Sequence, residues 1–184
     1  NYFFLHYGIV RSKLHKMNRL EDLNDTQAEL MAKGLLCSKE VAKEKLRKIV
    51  YDGLKKYFKR IKCYDNVPET FEKFKNAGFK LALLSDFPPE QKGEIWGVKK
   101  YCDVVLGTEQ LGALKPDAYS FLEMAKMLNV EPSKILYVGN SKKYDVAGSH
   151  NAGMKCAYLV PFRKRLFKKF IKEPEICFSN YRQL

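Results

Sequence analysis

Apolar positions follow two different patterns along this chain, and the change comes near residue 62. Before it, the spacing is helical. Leu5, Ile9 and Leu14 recur near whole-turn intervals, and Val41, Leu46, Ile49, Val50, Leu54, Tyr57 and Phe58 form an apolar stripe along residues 38–61. Ser38 opens that longer segment in an imperfect capping box, with Val41 at the third place and Glu40 nearby. No part of residues 1–62 reads as a strand.

Beyond it, short continuous apolar runs alternate with helical stretches. VPETFEKFKNAG predicts a helix with Pro68 in its first turn and Gly78 closing it. FKLALLS reads as a strand buried on both faces and CDVVLG as a second buried strand, KILYVG and MKCAYLV as a third and fourth strand, and ICFS as a short fifth. Between them lie a helical turn in PPEQKGEIWG, a helix over 115–129, and a helix over 143–152 ended by Gly153. Phe121, Leu122, Ala125 and Leu128 share one face of the middle helix. This alternation predicts right-handed βαβ units and a parallel sheet, hence an α/β fold with a helical N-terminal lobe.

Length and composition suit that picture: 184 residues with 46% hydrophobic content suffice for one α/β domain with a modest lobe. No apolar run nears the roughly 18 residues of a membrane span. The first residues show no secretory leader pattern, and the chain starts without Met. Five scattered cysteines without a CxxC pair read as reduced thiols of a cytoplasmic protein. The formal net charge of +13 comes mainly from dispersed lysines. The densest basic run, residues 163–172, interleaves Leu166, Phe167, Phe170 and Ile171 and predicts an amphipathic helix with a solvated face, rather than a nucleic-acid contact.

Ligands of open parallel sheets bind beyond the carboxyl ends of the strands. Ser85 and Asp86 follow one strand, Asn140 and Ser141 another with Asp145 one loop further, and Lys115 follows a third. Each has an ordinary reading: a turn or N-cap serine, a surface lysine, a carboxylate complementing a helix dipole. Their joint placement on successive strand ends is what marks a site.

Three segments resemble the haloacid dehalogenase (HAD) superfamily. LALLSDFP is similar to its second motif, with Ser85 as the hydroxyl; GALKPDAYSF to its third, with Lys115; and ILYVGNSKKYDVAGSHNAGM to its fourth, the acidic metal loop. The resemblance covers about residues 65–160. It implies a HAD-like Rossmannoid core over 63–184, an α-helical cap over 1–62, and Mg²⁺-dependent hydrolysis of a small phosphorylated metabolite through an aspartyl-phosphate. In that scheme Ser85 and Lys115 are catalytic, Asp145 and Asn140 hold the metal, and Ser85, Asp86, Lys115 and Ser141 bind phosphate. Two departures follow. The DxDxT strand that carries the family's nucleophile is absent from this sequence, which predicts a core strand upstream of residue 1 and no turnover by the chain alone. Asn140 stands where the family has an acid, and an amide brings no charge to a hard cation. A metal-independent dehalogenase-type hydrolase and a non-catalytic HAD-like binding or regulatory domain therefore stand as alternatives. Tyr2, Phe3, Phe4, His6 and Tyr7 read as cap packing before pocket lining, and His15 and His150 as surface or helix-cap residues.

Overall fold

A computed structural model describes residues 2–161 and 173–184; the basic helix expected at 163–172 lies outside the described residues. The N-terminal half is helical: α1 (Tyr2–Leu14), α2 (Leu23–Leu35) and α3 (Lys39–Lys45) come first. The Ser38 hydroxyl accepts from the Val41 N–H at 3.3 Å and starts α3 where the sequence placed it. The single helix expected over 38–61 is instead three pieces. After α3 the chain widens into a π-helical segment, Leu46–Asp52, and resumes as α4 (Gly53–Phe58). Periodicity does not distinguish the two helix types over so short a stretch. The widened turn keeps Leu46 and Val50 buried while the carbonyls of Val50 and Tyr51 accept from the Gln91 side chain at 3.2 and 2.8 Å.

Val10, Leu14, Ala28, Met31, Ala42, Leu46 and Val50 form one apolar cluster among these helices. Each large side chain so buried contributes about 1.5–3 kcal/mol. Phe3 and Tyr7 are part of that cluster, so two of the N-terminal aromatics pack inward. Leu114 and Phe87, from the strand-bearing half, join it and dock the helices onto the strand ends.

The second half follows the βα alternation. A helix α5 (Val67–Asn76) leads to β1 (Ala82–Ser85), which pairs in parallel with β2 (Val104–Gly107). Then come α6 (Ala118–Leu128), β3 (Leu136–Gly139), a π-turn at Lys142–Val146, α7 (Ala147–Asn151), β4 (Lys155–Leu159) and β5 (Ile176–Phe178). All pairings are parallel, in two sheets of order β1-β2 and β3-β4-β5. The two sheets share no hydrogen-bonded strand pair among the described residues; α6 spans them, with Met124 and Leu128 against β1 and β2 and Phe121 against Leu84 and Tyr137. Phe121 reaches that position because Gly148 on α7 has no Cβ, which would lie 2.4 Å from the ring.

α6 begins three residues later than the pattern suggested, at Ala118, because Asp117 caps it by accepting the Tyr119 N–H at 2.8 Å. No helix among the described residues is long and apolar enough to cross a membrane.

Candidate active site

Ser85 and Gly139 end β1 and β3, one in each sheet, and the chemistry-bearing side chains gather beyond these ends. Asp145 is the centre. Its Oδ2 accepts the backbone N–H groups of Asn140 and Ser141 at 3.0 and 2.9 Å, so the loop after β3 folds over the carboxylate. Gly139 permits this, because a Cβ there would stand 2.4 Å from that of Asp145. The other oxygen, Oδ1, accepts from Lys115 Nζ at 2.8 Å and from the Tyr137 hydroxyl at 3.2 Å. Both side chains of the ion pair are nearly buried, at 12% and 7% exposure. Burial works against the Lys115 charge, but the oxygens of Tyr137, Asp145 and Asp86 outweigh it and hold the pKa above its ordinary value. Burial likewise lifts the Tyr137 hydroxyl, which stays a neutral donor.

Asp86 ties the loops together. Its Oδ1 accepts from the Thr108 hydroxyl at 2.8 Å and from the Lys115 backbone N–H at 3.3 Å. The Ser85 hydroxyl accepts from Lys92 Nζ at 2.7 Å. Ser85, Asp86, Lys115 and Asp145 thus occupy one end of the fold. The other two expected residues have different local duties. Asn140 is exposed, and its side-chain N–H donates to the Tyr64 hydroxyl at 3.2 Å. The Ser141 hydroxyl caps the π-turn by accepting the Tyr144 N–H at 3.2 Å.

Three residues at this end had no signal in the sequence. Tyr137 and Lys92 are two of them. The third is His15, which is no surface residue: its Nδ1–H donates to the Lys115 carbonyl at 2.6 Å and its ring stacks on Tyr144, centroids 4.3 Å apart. Only distance in space relates His15 to Lys115, so no local pattern could have paired them.

A divalent cation takes oxygen ligands. Asp145 has both oxygens engaged by donors, Asn140 offers one uncharged amide oxygen, and the described residues contain no group of three His, Cys, Asp or Glu able to hold a metal. By themselves these residues do not make a magnesium site.

Comparison with known proteins identifies the family and the fold. A phosphoglycolate phosphatase from Aquifex aeolicus is 30% identical over 126 residues, covering 64% of this chain and 59% of its own. A glyceraldehyde 3-phosphate phosphatase from Methanopyrus kandleri is 32% identical over 100 residues, covering 53% and 43%. The chain thus spans roughly half the length of these curated relatives. Among solved structures, an HAD phosphatase from Thermococcus onnurineus superposes with a TM-score of 0.64 at 22% identity, covering 98% of this chain and 86% of its own. An L-2-haloacid dehalogenase from Xanthobacter autotrophicus gives 0.63 at 17% identity, covering 98% and 81%. Both share the Rossmannoid fold. The model of haloacid dehalogenase-like hydrolases matches residues 1–159, and the chain belongs to that family.

Proposed function

We propose that this chain is the larger part of a phosphomonoester hydrolase acting on small phosphorylated metabolites of the size of phosphoglycolate or glyceraldehyde 3-phosphate. The observation that carries the reading is the buried Lys115–Asp145 pair, tied to the loop that follows Ser85 by the Lys115 backbone N–H bond to Asp86. The names of the two curated relatives support it.

In this reading the Ser85 O–H donates to a phosphoryl oxygen, and Lys115 balances charge developing on the phosphoryl group. Asp145 holds the Lys115 ammonium in place and Tyr137 fixes the geometry of both. The nucleophile is an aspartate on a further core strand lying between β1 and β3, which do not pair with each other among the described residues. That carboxylate attacks phosphorus as the ester P–O bond breaks, and a second aspartate of the same strand gives its proton to the leaving oxygen. The same aspartate then takes a proton from the water that attacks phosphorus, freeing phosphate and the nucleophilic carboxylate. The helices of residues 1–62 serve as a cap over the core at 63–184. The requirement for Mg²⁺ belongs to this proposal, with carboxylates beyond Asp145 completing the shell.

The test is hydrolysis of p-nitrophenyl phosphate by the protein expressed from its complete reading frame, with Mg²⁺ and with EDTA. Turnover that EDTA abolishes is expected, and none from residues 1–184 alone. The full engagement of the Asp145 oxygens by Lys115, Tyr137 and two amides favours a second reading, a metal-independent dehalogenase-type hydrolase. Chloride release from 2-chloropropionate in EDTA, without phosphatase activity, would select it. Folded full-length protein that binds phosphate and turns over neither substrate would instead be a binding module.

A further inference from the structure

Lys92 lies outside the three motif-like segments, yet its ammonium bonds the Ser85 hydroxyl. The loop after β1 is set by Pro88 and Pro89, makes one 3-10 turn at Pro89–Lys92, and ends at Gly93 with φ +59°. Gln91, almost fully buried, anchors this turn to the π-segment through the Val50 and Tyr51 carbonyls. The next side chain, Lys92, is thereby directed back at Ser85, with Nζ 2.7 Å from Oγ and 5.7 Å from the centre of the Phe58 ring.

Two features of this contact are unusual for a structural lysine. First, Lys92 makes no ion pair among the described residues, although it is half-buried and feels the charge of Lys115. Burial and Lys115 lower its pKa, with Asp86 opposing them, so the ammonium is held at some cost unless an anion joins it. Second, the direction of the bond fixes the serine. An ammonium only donates, so Ser85 Oγ accepts from Lys92 and its own hydrogen is left to point elsewhere. Any phosphoryl oxygen accepting that hydrogen lies close to the Lys92 charge.

We propose that Lys92 is the second cation of the phosphate pocket, binding the phosphoryl group alongside Lys115 while holding Ser85 as a hydrogen-bond donor. The assignment rests on the phosphohydrolase reading and adds to it a preference for a multiply charged anion, because Lys92 is bonded to Ser85 and feels the charge of Lys115. Because the Lys92 turn is fastened to the helices by Gln91, the position of the cap helices also sets the geometry of this second cation.

The test is calorimetric titration of the full-length protein with inorganic phosphate, comparing the parent with K92M and K92R, each first checked by circular dichroism and thermal melting. K92M is expected to weaken phosphate binding by roughly tenfold to a hundredfold, the range for a hydrogen bond to a charged group. K92R, keeping the charge, should stay within a few-fold of the parent. Parent-like affinity in K92M, or equal weakening in K92M and K92R with both folded, overturns the assignment. A parent protein that binds no phosphate overturns the phosphohydrolase reading as well, which separates the two failures. Should K92M fail to fold, K92Q supplies the same comparison.

Discussion

The Arg11 guanidinium donates to the Glu109 carboxylate at 2.5 Å, across 98 residues of chain and inside the seam between helices and strands. The exposures are 9% and 0%. Gln27 accepts from Arg11 at 3.2 Å and Tyr51 donates to Glu109 at 3.0 Å, while the Arg11 charge lies 5.2 Å from the Phe87 ring centre. Burial opposes both charges: it lifts the Glu109 carboxyl, and it works against Arg11, whose pKa Glu109 nonetheless holds above its usual value. Removing one partner strands the other. Arg11→Met or Glu109→Leu should each cost about 3–5 kcal/mol in urea unfolding, while the double variant recovers most of that loss. Equal loss in the single and double variants would refute the coupling.

A methyl group at Gly139 meets Asp145 itself. Gly139→Ala should displace the carboxylate from its two amides and cost about 1–3 kcal/mol by overpacking. The backbone N–H signals of Asn140 and Ser141 should shift together in an NMR spectrum. Unmoved signals would show that the loop tolerates the side chain.

Lys115 and Asp145 act as a unit in the proposed reaction. Lys115→Met is expected to lower kcat roughly 10²–10³-fold, the usual loss on removing one preorganised charge or donor. Asp145→Asn should lose a comparable amount, and combining the two should cost little more than either alone. Additive losses would mean that the two groups serve separate steps.

His15 gives the fold a pH dependence. Burial holds its imidazole below the usual value, against the pull of its bond to the Lys115 carbonyl. Its folded pKa is thus below the unfolded value of about 6.5, so protons bind the unfolded chain first as pH falls. The stability at issue is complete above about 6.5 and is lost as pH drops through the folded pKa. Urea midpoints between pH 8 and pH 5 should fall more steeply for the parent than for His15→Asn. Parallel curves would exclude His15 as the source.

The strands were legible because each is a short apolar run bounded by turn residues, and Ser85, Lys115 and Asp145 followed from their places at the ends. The πα junction at Leu46–Asp52 was not, since four or five apolar positions fit either helix type. Lys92 lies in a turn too short to show a period, and its partner is fixed by how the turn is fastened. The Arg11–Glu109 and His15–Lys115 contacts are products of docking, written nowhere in local sequence. What the motifs conveyed was which residues meet; which atoms they offer one another had to come from the fold. Asn140 illustrates the difference, because its backbone N–H serves Asp145 while its side chain turns to Tyr64.

The division into β1-β2 and β3-β4-β5 has a practical consequence for anyone handling this chain. β1 and β3 each pair with a described neighbour on one side only, and Leu136 and Val138 of β3 stand 41% and 37% exposed. An unpaired strand edge beside apolar side chains is a template for any extended peptide that can reach it. A peptide of alternating β-branched residues added to residues 1–184 should therefore shift the backbone N–H signals of Leu136–Gly139.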